Sequence, residues 1–211
     1  MYLDPNGHDP LPWWANMLIG VGVIAVLAAA TVLTAGAAGV GVGAAFAAGF
    51  TGTAIGTGAS GLAVTIASSA FAGAVIGGTT SMLASGVMTA ATGGTTEDIL
   101  NSASSSFMFG TALGAFSGIV NPISMVTNEA VNIGIHMGIN SLATVGTYLG
   151  QTAYMDGNLR NVSFGGLVIT AIGGASAGYL PNSVVSSGYY NYISIQGATF
   201  FDYVYRMRRS R

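Results

Sequence analysis

From residue 10 to residue 96 the chain carries no charged side chain. A soluble fold needs charges spread over its surface to stay solvated and unassociated, and this stretch has none to offer. Its surface must therefore meet lipid, meet other protein, or rely on Ser, Thr and Asn alone for solvation. The rest of the chain relieves this little. Charged residues are 6% of the total, against about 25% in ordinary soluble domains. There is no Lys, and the five basic residues are Arg160, Arg206, Arg208, Arg209 and Arg211. Disorder is excluded by a hydrophobic share of 51%, since disordered chains are polar and charged. The absence of Cys excludes disulfides and thiolate metal sites. A net charge of −2 gives no reason to expect nucleic acid.

Residues 2–12 read as turns, with Asp4-Pro5-Asn6-Gly7 supplying a fixed φ followed by residues that tolerate φ > 0. The preface holds Asp4 and Asp9 and no basic residue, so no secretory signal is evident. Trp13-Trp14 fits ordinary packing and an interfacial aromatic belt equally well. Residues 15–34 are almost all apolar and would span about 30 Å as a helix, the thickness of a bilayer core. The glycine-dense residues 35–61 predict a broken helix or a loop. Residues 62–91 predict a second long helix, kinked at Gly77-Gly78.

Gly93-Gly94 ends that helix, and Thr95 caps the next, with Glu97 and Asp98 opposing the helix dipole in its first turn. Thr95-x-x-Asp98 approximates a capping box. Asn121-Pro122 predicts a new helix start, with Asn as cap and Pro at the first helical position, running to about Leu149. Residues 96–150 thus read as a helical hairpin. Asp156-Gly157-Asn158 reads as a turn, and Ser163 as the cap of a glycine-rich helix that Pro181-Asn182 ends. In residues 182–211 Tyr190, Tyr192 and Ser194 alternate with Asn191, Ile193 and Ile195, which predicts a β-hairpin, with a short helix as the alternative for the second run. The expected fold is all-α, built of Gly/Ala-rich, membrane-competent helical hairpins with a small aromatic C-terminal β-hairpin or short helix. It divides into segments 1–14, 15–95, 96–150, 151–181 and 182–211.

Three patterns are candidates for function. Gly110, Gly114 and Gly118 recur every four residues on one helix face, where a second backbone could approach closely. The spacing returns at Gly52/Gly56, Gly73/Gly77, Gly134/Gly138, Gly146/Gly150 and Gly174/Gly178. Glu129, Asn132, His136, Asn140, Thr144 and Thr147 form a polar stripe along one helix. The simplest expectation for it is the solvated face of an amphipathic helix. The sharper one is the lining of a water-filled path. Arg206, Arg208, Arg209 and Arg211 form a basic end suited to anionic lipid. No catalytic set is visible. Two His and seven carboxylates are too scattered for one, and Gly39-Val40-Gly41-Val42-Gly43 lacks the Lys or acidic partner of a phosphate loop. No cofactor is expected.

The opening Tyr2, Asp4, Pro5, Asn6 and Gly7 resemble the Tyr-x-Asp-Pro-x-Gly signature that closes the core of bacterial Rhs (rearrangement hotspot) or YD-repeat proteins. The following Pro, Trp-Trp and long Gly/Ala tract resemble the region between core and toxin in some of them. The resemblance implies a detached C-terminal region of a polymorphic toxin, with residues 1–14 as a remnant of the core. In that family the repeats enclose the C-terminal region in a shell before delivery. The repeats are absent here, and no catalytic residue of the family carries over. The leading expectation is a secreted or membrane-associated bacterial segment that inserts into or helps translocate across a membrane, forming a pore through glycine-mediated helix association. Its partners would be lipid, a shell or immunity protein, and further copies of itself. The alternatives are a soluble helical module packed against a partner shell, and a remnant of an enzymatic toxin in which Asp202 or the terminal Arg residues act.

Overall fold

A computed structural model describes residues 11–123, 127–179 and 184–209, all of its elements there being helices. They are α1 (Trp13–Ala37), α2 (Val42–Thr51), α3 (Gly58–Ala91), α4 (Thr96–Val120), α5 (Glu129–Asp156), α6 (Phe164–Tyr179) and α7 (Val184–Arg209). The expectation of an all-α chain holds. The terminal β-hairpin does not, because residues 184–209 form one helix.

The long helices run back and forth between two ends. α1 starts beside the end of α5, where the Tyr154 hydroxyl donates to Asn16 Oδ1 over 2.7 Å. Its other end packs near the start of α3, through Ala35 and Val64. α3 returns and pairs antiparallel with α4, from Ser85 beside Ser102 at one end to Ser69 beside Gly118 at the other. α5 rises along α4, α6 descends on α5, and α7 rises again on α6, with Asn191 at the level of Thr144 and Asp202 at that of Tyr148. One end therefore gathers Trp13, the α3–α4 turn, the α5–α6 turn and the last turns of α7. The opposite end gathers the α1–α2, α2–α3 and α4–α5 connections.

Local chemistry accounts for most boundaries. The capping box forms: the Asp98 N–H donates to Thr95 Oγ1 over 3.2 Å, and the Thr95 N–H to Asp98 Oδ2 over 2.9 Å. Thr95→Ala should destabilise the bundle by about 1 kcal/mol, read as a lower unfolding midpoint in detergent. Gly157 closes α5 at φ 68°, left-handed backbone that favours Gly. The Gly166 N–H donates to Ser163 Oγ over 2.9 Å at the start of α6, as the cap reading expects. The dense glycines of 35–61 break the chain into the short α2, flanked by Gly39 at φ 67° and Gly52 at φ 69°.

Three features differ from expectation. α5 continues to Asp156, past the end expected near Leu149. α3 runs through Gly77-Gly78 as one helix, because both glycines lie against α4 and not at a hinge. Asn121 is the C-cap of α4 and does not open α5. Its Oδ1 accepts from Asn140 Nδ2 over 3.1 Å, so that oxygen serves a tertiary bond. Asn128 caps α5 instead, accepting from the Val131 N–H over 3.2 Å. The supposed 96–150 hairpin is also only half of the arrangement. α4 and α5 are antiparallel neighbours, but the most extensive interface of α4 is with α3, and that of α5 is with α6.

The core is unusual in what it contains. Among the described residues the buried apolar side chains larger than Ala are Val64, Phe107, Leu113, Val120, Tyr148, Tyr192 and Ile195. The remaining buried positions are largely Gly, Ala, Ser, Thr and Asn, including Ser68, Ser69, Ser81, Ser104, Ser105, Ser106, Thr111 and Ser117. Large aliphatic and aromatic residues face outward, among them Leu18, Val26, Leu33, Leu83, Val87, Leu142, Phe164 and Ile172.

Candidate functional site

The site begins with the glycines of α4. A Cβ on Gly114 would overlap the carbonyl oxygen of Gly73, and one on Gly73 would overlap that of Gly114. One turn away, a Cβ on Gly110 would stand 2.8 Å from the Gly77 oxygen, and one on Gly77 2.6 Å from the Gly110 oxygen. Gly118 lies in the same relation to the Ser69 backbone. Gly110, Gly114 and Gly118 thus face Gly77, Gly73 and Ser69 in register, backbone on backbone. The absence of side chains permits the approach, and dispersion and weak CH···O contacts reward it.

A second seam joins α5 and α6. A Cβ on Gly174 would stand 2.6 Å from the Asn140 carbonyl oxygen, and one on Gly178 would overlap that of His136. The other regularly spaced glycines do something else. Gly134, Gly138 and Gly146 look onto open space, and Gly52 and Gly56 serve turns at positive φ. Spacing alone does not separate these cases. What separates them is what lies opposite in the fold: Gly134, Gly138 and Gly146 sit on a face with exposed Val131 and Leu142, whereas the α4 face carries buried Phe107.

The polar stripe of α5 is placed differently from its simplest expectation. Glu129 is exposed and Asn132 half-buried, but His136, Asn140 and Thr144 are buried. The stripe is not a solvated face. The glycine face of α6 lies across it, while Val131 and Leu142 point outward, with Leu142 75% exposed. Asn140 anchors a network spanning three helices. Its Nδ2 donates to Asn121 Oδ1, and its Oδ1 accepts from Ser117 Oγ, each over 3.1 Å. Asn191 of α7 donates to Ser117 Oγ over 3.0 Å and accepts from Thr144 Oγ1 over 2.8 Å. His136 Nε2 meets the Ile123 carbonyl at 2.9 Å. Thr147 is half-buried and donates to the Ala143 carbonyl of its own helix.

Further along the same interface Asp202 is buried and accepts from the Tyr148 and Ser163 hydroxyls. The Tyr192 hydroxyl donates to the Gly110 carbonyl, tying α7 to the first seam. Gln151 Nε2 donates to Ser106 Oγ over 2.7 Å. Ser117, Tyr148, Asn191, Ser106 and Asn16 were not singled out in the sequence. Of these, Tyr148 continues the four-residue spacing of Asn140 and Thr144, and no local pattern marks the others. Buried atoms without a hydrogen-bond partner among the described residues are Ser81 Oγ, His136 Nδ1 and Gln196 Nε2.

Between α4 and α5 an open apolar groove of about 630 Å³ is lined by Phe109, Leu113, Phe116, Ile139, Leu142 and Gly146, among others. Among the described residues no three His, Asp or Glu side chains group where a metal ion could sit. The Rhs-like Tyr2, Asp4, Pro5, Asn6 and Gly7 lie outside the described residues. So do Arg211 and the side chains of Arg206, Arg208 and Arg209. Chemically, the arrangement positions amides and hydroxyls between helices and presents apolar side chains to the exterior. Compared with protein-family models, curated proteins and solved structures, the chain matches none.

Proposed function

We propose that the chain is a membrane-inserting module that works by helix association, acting as the insertion or translocation segment of an Rhs-type secreted bacterial toxin and forming a pore when copies associate. The observation that carries this reading is the distribution of side chains: the inside is mostly small and hydrogen-bonding residues, with a few large ones such as Phe107, Leu113 and Ile195, and most large apolar residues face outside. Water disfavours such a surface, since each large apolar side chain moved from water to an apolar setting gains about 1.5–3 kcal/mol. In lipid no hydrophobic force draws helices together, so close-packed glycines and interhelical hydrogen bonds must hold them. The two glycine seams and the Asn140 network are those devices. Among the described residues three helices, α1, α3 and α4, are long and apolar enough to cross a bilayer, and little of α1 is buried.

Flotation with phospholipid vesicles, followed by an alkaline carbonate wash, tests the reading. The expected result is protein retained in the vesicle fraction, with release of a trapped dye as the sign of a pore. A monodisperse species in detergent-free buffer that leaves the vesicles would instead make the chain the soluble module whose apolar exterior a partner shell covers.

A further inference from the structure

The bundle has a charged end and a nearly uncharged end, and from this the geometry points to a sided insertion into a lipid bilayer: the uncharged end crosses first and the charged end stays on the side of approach. The inference rests on the membrane reading proposed above and adds its direction. Glu97 and Asp98 lie in the first turn of α4, Asp156 at the end of α5, Arg160 on the α5–α6 turn, and residues 202, 206, 208 and 209 on the last turns of α7. The bundle's topology collects all of them at one end. At the other end, among the described residues, the connections are Gly, Ala, Thr, Val, Ile, Asn and Pro, and Glu129 is the only charged group.

This asymmetry is hidden in the linear order of the chain. It appears because α1, α4 and α6 run one way and α3, α5 and α7 the other, so that alternate turns share an end. Charged groups at bilayer depth are expensive and usually sit where water reaches them. One end can therefore enter hydrocarbon at the cost of a single carboxylate, and the other cannot follow. Trp13 and Trp14 give an independent sign of the same polarity. Both are exposed, at 44% and 54%, and both belong to the charged end. Amphipathic aromatic rings concentrate at the membrane–water interface, where the chain enters.

The chain has no Cys, so single cysteines report position without background. Thr96→Cys and Leu159→Cys mark the charged end, and Ala54→Cys and Thr127→Cys mark the opposite one; all four positions are exposed. Each full-length variant is added to preformed vesicles of phosphatidylcholine with a minor share of phosphatidylglycerol, floated, and treated with a membrane-impermeant maleimide. The expected result is full labelling at residues 96 and 159, and loss of labelling at 54 and 127 until detergent opens the vesicles. Equal labelling at both ends of the floated protein, or protection of 96 and 159 instead, overturns the direction while leaving membrane association standing. Protein that fails to float takes down the membrane reading and the direction with it.

Discussion

Gly114→Leu is expected to destabilise the bundle by about 3 kcal/mol, the upper end of what overpacking usually costs. A Cβ at this position would overlap the Gly73 carbonyl oxygen, which is backbone inside a helix and cannot rotate away. The two helices must separate. Separation also pulls apart Gly110 from Gly77 and Gly118 from Ser69, and it strains the bond from the Tyr192 hydroxyl to the Gly110 carbonyl. Replacing Gly within a helix gains only about 1 kcal/mol of propensity, so the clash decides the sign. Gly134→Leu is the control. It shares the four-residue spacing with Gly138, yet nothing stands within 4 Å of its Cβ position. There the propensity gain acts alone, and the variant should be as stable as the parent or slightly more so. Unfolding of both variants in the same detergent reads the difference. Equal midpoints would mean that the α3–α4 seam contributes no packing energy.

The contrast between Gly114 and Gly134 also shows how much the sequence discloses. Helices bounded by strong local chemistry were legible. Thr95 with Asp98, and Ser163, each fixed an end through atoms within a few residues. The long uncharged helices were legible too, because length and apolarity need no partner to be read. The glycine face of α4 was legible as well, but inference about which way polar faces point was not. Polarity read alone points the α5 stripe to water, either as a solvated face or as the lining of a water-filled path, and Asn191, Ser194 and Asp202 conceal the inner face of α7. On that helix Asn191, Ile195, Ala198 and Asp202 are buried at helical spacing, while Tyr190, Ile193 and Phe200 are exposed. Over residues 190–195 the same residues also alternate, which imitates a strand. Asn121 misled for a related reason: an Asn before Pro suits a helix start, and only the fold reveals that its side chain is engaged by Asn140. The charge polarity of the bundle was beyond reach until the direction of each helix was known.

Asn140→Leu should have the second largest effect, about 2 kcal/mol. Asn140 is fully buried; its amide donates to Asn121 Oδ1 and to the His136 carbonyl and accepts from Ser117 Oγ. Leucine removes all three bonds and puts a branched side chain where α4, α5 and α7 converge. Losing a buried partner costs about 1–3 kcal/mol in a protein interior, and less where the unfolded chain also sits in lipid and finds partners there. Asn191→Leu acts on the same Ser117 hydroxyl from α7 and also removes one of the two acceptors of Thr144, the Asn140 carbonyl remaining. The two substitutions should therefore combine to less than the sum of their separate costs, with a coupling of about 0.5 kcal/mol or more. Additive costs would mean that Asn140 and Asn191 act separately, and that α7 is held by Tyr192 and Asp202 instead. A coupled result would make the network the element that locks α7 onto the other helices. That matters if the bundle sits in lipid as proposed, because lipid offers no hydrophobic force to do the locking.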